Sequence, residues 1–275
     1  MENKNSYSTI PIHNENDFKK MRKAGSLAAK LLDNLMTIIK PGVSTEEINQ
    51  FCHKYILENN AIPAPLNYGE IRNIRKPFPK SICTSVNNVV CHGIPSENKI
   101  LKDGDIVNVD VTVILDGWYG DSSRMFAAGK INPKAKKLII NTYECLIKSI
   151  EILKPGIHLG DIGNIIQKHA ESHNFSVVRD FCGHGLGQTF HCPPSVLHFG
   201  EKGSGPILKK GMFFTIEPMI NEGKYEVKTL NDGWTAVTKD RSLSAQFEHT
   251  VGITENSAEI FTLSKNGTEI PIKFI

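Results

Sequence analysis

"GDIVNVDVTVILDGWYGDSSRMF" occupies residues 104–126, and its pattern decides the fold. Side chains alternate along a β-strand. Val107, Val109, Val111 and Val113 fall on one face, while Ile106, Asn108, Asp110 and Thr112 fall on the other. One face is therefore core and the other mostly polar. Asp116-Gly117 is the dipeptide of a two-residue hairpin turn. Such a turn pairs Leu115 with Trp118, Thr112 with Asp121 and Asp110 with Ser123. Asp110 and Asp121 then become diagonal neighbours on one face, about 7 Å apart at the backbone. Carboxylates that close repel unless cations lie between them. The spacing suits two metal ions roughly 3.5–4 Å apart that share carboxylates. The plain alternative is a solvated polar stripe, so the rest of the chain must decide.

Three further ligand candidates exist. "FCGHGLG" sets His184 between two glycines, where nothing crowds the imidazole. "FFTIEP" ends an apolar strand on Glu217, and "SLSAQFEHTVGIT" alternates so that Glu248 sits centrally on a polar face. Four carboxylates would balance two divalent ions, which avoids burying unpaired charge. Oxygen ligands with one imidazole nitrogen suit Mn, Fe, Co or Zn.

The remaining chain alternates helices with short strands. Apolar spacing predicts a helix over 17–40, ended by Pro41-Gly42. Ser44 and Glu47 form a capping box for a second helix over about 45–59. Asn132-Pro133 starts a third. Strand-like runs cover 106–115, 118–126, 212–217, 226–230 and 242–253. The chain also repeats: "IIKPGVSTEEINQF" (38–51) matches "ILKPGIHLGDIGNI" (152–165), and "ILKDGDIVNVD" (100–110) matches "ILKKGMFFTIE" (207–217). Two matches in the same order predict two related halves about a pseudo-twofold axis.

Bulk properties narrow the class. The chain has 275 residues, 40% hydrophobic and 22% charged, with a formal net charge of +3. That profile fits a globular protein with a full core and gives no warrant for a specific nucleic-acid or membrane partner. No stretch approaches the roughly 18 apolar residues of a membrane span. The six cysteines form no C-x-x-C pair, which fits free thiols in a reducing cytoplasm.

The motifs "VVCHGIP", "GDIVNVDVTV", "GDSSRMF", "CGHGLG", "IEPMI" and "TKDRSLSAQFEHT" follow in that order and closely resemble type I methionine aminopeptidases. The resemblance runs from about residue 16 to the C-terminus. It implies an α/β (α+β) pita-bread fold: antiparallel sheet in pseudo-twofold related halves covered by helices. A polar arm, 1–15, would precede one catalytic domain, 16–275, with halves of about 16–126 and 133–275. It implies a cytoplasmic, monomeric dimetal exopeptidase. Such an enzyme removes the N-terminal methionine of nascent proteins and prefers a small second residue.

The resemblance also implies roles. Asp110 would chelate one metal, His184 and Glu217 the second, and Asp121 and Glu248 would bridge. His92 and His191 match the family's two non-ligand active-site histidines; Glu217, at the metal edge, is the candidate proton carrier on chemical grounds. Cys83, Tyr68, Phe78, Phe190 and Trp234 match the methionine pocket, where a thiol and aromatic edges suit a polarizable thioether. Asn87, Val89 and Ser244 match a monovalent site for Na or K. The segment "GEIRNIRK" (69–76) is longer than the usual loop, and its Arg72, Arg75 and Lys76 could touch the ribosome transiently. A solvated loop is the plainer account.

Rival functions remain on the same fold. An X-Pro peptidase usually carries a large N-terminal domain, and its pocket would not call for Cys83, Phe190 and Trp234. A non-catalytic relative would lack some of the five ligands. A type II methionine enzyme carries a long insertion between the positions of His184 and Glu217. His13, His53, His158, His169, His173, His198 and His249 are read as structural.

Overall fold

The structure is a computed structural model that describes residues 9–69 and 76–265. Arg72 and Arg75 lie outside the described residues, as do positions 1–8 of the arm.

Helices α1 (Glu15–Asn34), α2 (Thr45–Glu58), α3 (Pro133–Glu151) and α4 (Leu159–Ser172) flank antiparallel sheets. The strands among the described residues are β1 (Ile62–Pro63), β2 (Cys83–Val86), β3 (Val89–Cys91), β4 (Asp105–Leu115), β5 (Trp118–Ala128), β6 (Ser176–Val177), β7 (Gly183–Gly185) and β8 (Cys192–Val196). They continue as β9 (Phe213–Ile216), β10 (Met219–Asn221), β11 (Val227–Thr229), β12 (Ala236–Thr238), β13 (Ser244–Gln246), β14 (His249–Ile253) and β15 (Ala258–Ile260). One sheet runs β1-β4-β2, with β5 also paired to β4. A larger one runs β15-β14-β9-β7-β8. The short sheets β13-β10-β6 and β11-β12-β3 lie beside them. This is the expected mixed architecture.

The β4–β5 hairpin has the register the Asp-Gly turn demands. Leu115 pairs with Trp118, Thr112 with Asp121 and Asp110 with Ser123. Asp116 and Gly117 have φ of 51° and 78°, the left-handed values that a two-residue turn needs at both positions. Val107, Val109, Val111 and Val113 are all fully buried, in a core shared with Leu31, Leu35 and Ile48 of the α1–α2 region. The opposite face is not a solvated stripe: Asn108, Thr112 and Asp121 are buried too.

What covers that face is the second half of the chain. A second core gathers Leu138 and Cys145 of α3, Ile162 and Ile166 of α4, and Phe214 and Ile216 of β9. The two halves repeat each other in hydrogen bonds as well as in sequence. Ser44 bridges to Ile100, and His158 bridges to Ile207. Gly42 N–H donates to the Leu101 carbonyl, and Gly156 N–H donates to that of Leu208. These are equivalent positions of the two repeats.

Two element boundaries differ from expectation. α1 starts at Glu15, because Asn14 and Asp17 form a capping box, and it tightens into a 3₁₀ turn over Leu35–Thr37. The expected strand over 242–253 is broken in two. β13 pairs with β10 and β14 with β9, and Glu248 in the gap bridges to Ser123 of β5. The break is what turns Glu248 toward the hairpin. The described end of the arm is tied down: His13 N–H donates to the Gly211 carbonyl, and its ring stacks on Phe213 at 4.2 Å.

Candidate metal centre and substrate pocket

Residues far apart in sequence line one cavity of about 390 Å³. Asp110 and Asp121 come from the hairpin, and His184 from the glycine-flanked β7. Glu217 comes from the Pro218 break between β9 and β10, and Glu248 from the break between β13 and β14. Ligand atoms of Asp121, His184 and Glu248 lie within 4.8 Å of one another. His184 Nε2 stands 3.6 Å from Asp121 Oδ2 and 3.7 Å from Glu217 Oε1. The structure therefore gathers all five ligand candidates.

The electrostatics call for cations. Burial pushes the Asp110 carboxyl up to about 7. Burial, and then repulsion from neighbouring carboxylates, raises Asp121, Glu217 and Glu248 well above their ordinary range. No lysine or arginine stands among the described lining residues to offset that charge. Burial also lowers His184, to about 4, so its imidazole stays neutral as a ligand must. Its Nδ1 lies 3.2 Å from the Gly185 carbonyl, the second bond that fixes a ligating imidazole's tautomer. Hard oxygens with one neutral nitrogen fit divalent metal ions.

Residues outside the expected set hold these groups in place. The Thr112 hydroxyl donates to Asp121 Oδ1 at 2.7 Å, which leaves Oδ2 toward His184. The Thr215 hydroxyl accepts the His184 backbone N–H at 3.0 Å and donates to Glu217 Oε1 at 2.8 Å. Gln246 donates its amide to Glu217 Oε2 at 3.3 Å. His198, read from sequence as merely structural, is fully buried and accepts the Glu217 backbone N–H on Nε2 at 3.1 Å. Burial lowers its pKa to about 3, so it remains a neutral acceptor. Period-two alternation could have flagged Thr112 and Gln246, since each shares a face with a ligand. Nothing in the sequence marks His198.

The remaining site residues line the same cavity. Cys83, Phe78, Tyr68, Phe190 and Trp234 form an apolar end, with Phe181 and Met219 as members not expected from sequence. Trp234 packs edge-on against Phe78 at 5.4 Å, and its indole N–H donates to the Lys76 carbonyl at 2.8 Å. Burial raises the Cys83 thiol far above its usual range, so it stays neutral. Tyr68 bonds His191 Nδ1 through its hydroxyl at 3.0 Å and so orients that ring. His92 sits at a φ of 56°, a left-handed backbone that histidine rarely adopts, with its ring against Phe181 at 5.3 Å. Asn87 and Ser244 meet away from this cavity, the Ser244 N–H donating to the Asn87 carbonyl. Val89 pairs with Val237.

Known proteins resemble this chain in sequence and fold. The sequence profile described as metallopeptidase family M24 matches residues 19–255. The methionine aminopeptidase of Rickettsia prowazekii (strain Madrid E) is 58% identical over 264 residues, 96% of this chain and 99% of the relative. That of Escherichia coli (strain K12) is 51% identical over 260 residues, 94% and 96% of the two chains. The crystal structure of the Rickettsia prowazekii methionine aminopeptidase superposes with a TM-score of 0.89, covering 93% of this chain and all of that one. The prolidase from Pyrococcus furiosus, 20% identical, gives 0.71 over 92% of this chain and 66% of its own, a likeness of fold alone. The chain belongs to metallopeptidase family M24, among the type I methionine aminopeptidases, which are metal-dependent exopeptidases.

Proposed function

We propose that this site removes the N-terminal methionine from newly made polypeptides with two divalent ions, and that it favours a small second residue. The observation that carries this reading is one cavity with a carboxylate-rich end and an apolar, thiol-containing end. Asp110 would hold one ion, His184 and Glu217 the other, with Asp121 and Glu248 shared. When bound, divalent ions supply Lewis acidity and lower the pKa of water.

The protein's own groups do the rest. The apolar end takes the methionine side chain, whose thioether packs against Phe78 and Trp234 edges. Glu217 is the proton carrier, and its Thr215 and Gln246 contacts keep its carboxylate aimed. His92 and His191 hydrogen-bond the peptide and stabilise the developing oxyanion. The free α-amine of the first residue would be held at the carboxylate-rich end, so a chain must enter by its N-terminus.

Supporting observations bear on the rivals. Identity to methionine aminopeptidases is 58% and 51%, against 20% for the prolidase. All five ligand positions are present in the cavity, which argues against a non-catalytic relative. The same reading makes the protein a cytoplasmic monomer that meets nascent chains at the ribosome, with a Na or K ion near Asn87, Val89 and Ser244. Among the described residues no helix is long and apolar enough to cross a membrane.

The test is metal-stripped protein assayed on Met-Ala-Ser, with Mn, Fe, Co or Zn added back. Activity should return with two equivalents of ion and be much weaker on Met-Leu-Ser. Saturation at one equivalent would remove the second ion, and equal rates on both peptides would remove the size preference.

A further inference from the structure

The catalytic cavity abuts a second, larger hollow of about 1120 Å³, and the imidazoles of His184 and His191 line both. The hollow is mostly apolar. Ile10 and Ile12 of the anchored arm, Pro193 and Pro194 of β8, and Ile207 and Met212 line it. Ile12 is 57% exposed and Ile207 47%. Large aliphatic side chains grouped in water mark a surface that a ligand covers.

The chemistry of β8 narrows the ligand. β8 is the outer strand of its sheet, an edge to which another chain could add. Pro193 and Pro194 have no N–H to donate, so continuous strand pairing there is blocked. What remains is side-chain contact with an extended segment. Lys209 supplies the one cationic amine among the described lining residues.

Continuity with the catalytic cavity identifies the occupant. A polypeptide whose first residue fills the Cys83, Phe78 and Trp234 end must leave that cavity, and the wall at His191 is the one shared with the hollow. An extended chain advances about 3.3 Å per residue, so three residues cover about 10 Å. We infer that the hollow receives the third to fifth residues of the polypeptide substrate and favours apolar side chains there. This rests on the aminopeptidase reading and adds a specificity determinant to it.

The experiment compares two amidated pentapeptides, Met-Ala-Leu-Val-Leu and Met-Ala-Ser-Ser-Ser, on the metal-loaded full chain. The apolar peptide should show a KM about fivefold lower at similar kcat, as partial burial of one aliphatic side chain allows. Ile12→Asp and Ile207→Asp should each bring the two KM values together. Equal KM values in the wild type would overturn the inference and leave the hollow to a separate protein or a second copy of the chain. Survival of the fivefold difference in both variants would overturn it too. Cleavage of neither peptide, in a preparation that binds metal, would instead sink the aminopeptidase reading beneath it.

Discussion

His198 Nε2 accepts the backbone N–H of Glu217 at 3.1 Å, where the chain breaks between β9 and β10. Within the break this N–H has no strand partner, and a buried donor left unmade costs about 1–3 kcal/mol. His198→Ala should therefore loosen Glu217 and weaken metal binding by roughly tenfold, the low end for lost outer contacts of a ligand. Calorimetric titration with Mn reads this directly. His198→Gln, whose side-chain oxygen can accept the same bond, should recover part of the affinity. Equal affinity in wild type and His198→Ala would show that Glu217 is held by Thr215 and Gln246 alone.

Metal binding should be proton-linked. Asp110 is raised to about 7 in the folded protein, and Asp121, Glu217 and Glu248 are raised well above their ordinary range, all by burial first. The folded metal-free chain thus holds more protons than the unfolded one. Their effect on its stability is most favourable below the unfolded carboxylate values near 4 and is lost as pH rises through about 7 and above. An ion must displace those protons, so its affinity rises over the same range. The Tm gap between Mn-loaded and stripped protein should widen from pH 5.5 to 7.5. A gap that narrows would contradict the raised carboxyls.

The apolar end should set substrate affinity. Trp234 closes that end against Phe78 and Tyr68, at ring distances of 5.4 and 6.4 Å. Trp234→Ala should lower kcat/KM on Met-Ala-Ser about tenfold or more, mainly through KM, because an aromatic wall is lost while the ligands stay. Metal content measured by atomic absorption should not change. A loss of bound metal would mean that the indole braces the centre.

Helix α1 should tolerate no added bulk on the hairpin beneath it. A Cβ on Gly120 would collide with the backbone of Ala24 and Gly25. Gly120→Ala should cost about 1–3 kcal/mol, the usual range for overpacking. Urea unfolding measures it, and an unchanged midpoint would show that α1 can lift away freely.

The hairpin, and the shared face of Asp110 and Asp121, were legible because both depend on local chemistry. Asp116-Gly117 fixes the turn, the turn fixes the register, and alternation then puts Asp110 and Asp121 on one face. The repeat was legible because Lys-Pro-Gly punctuates both halves in the same way. The contacts of His198 with Glu217 and of Thr215 with His184 were not, because each meets its partner across the fold rather than along a strand. The split of 242–253 was hidden for a related reason. Its alternation is unbroken in sequence, and only the bridge of Glu248 to Ser123 interrupts the strand.

That bridge has a consequence for synthesis. Asp121, His184 and Glu248 converge to within 4.8 Å, yet the ribosome delivers them one after another with Glu248 last. Until Glu248 has emerged, the growing chain holds an incomplete cage beside the hairpin's carboxylates. The cage is thereby completed only once translation has passed the gap between β13 and β14.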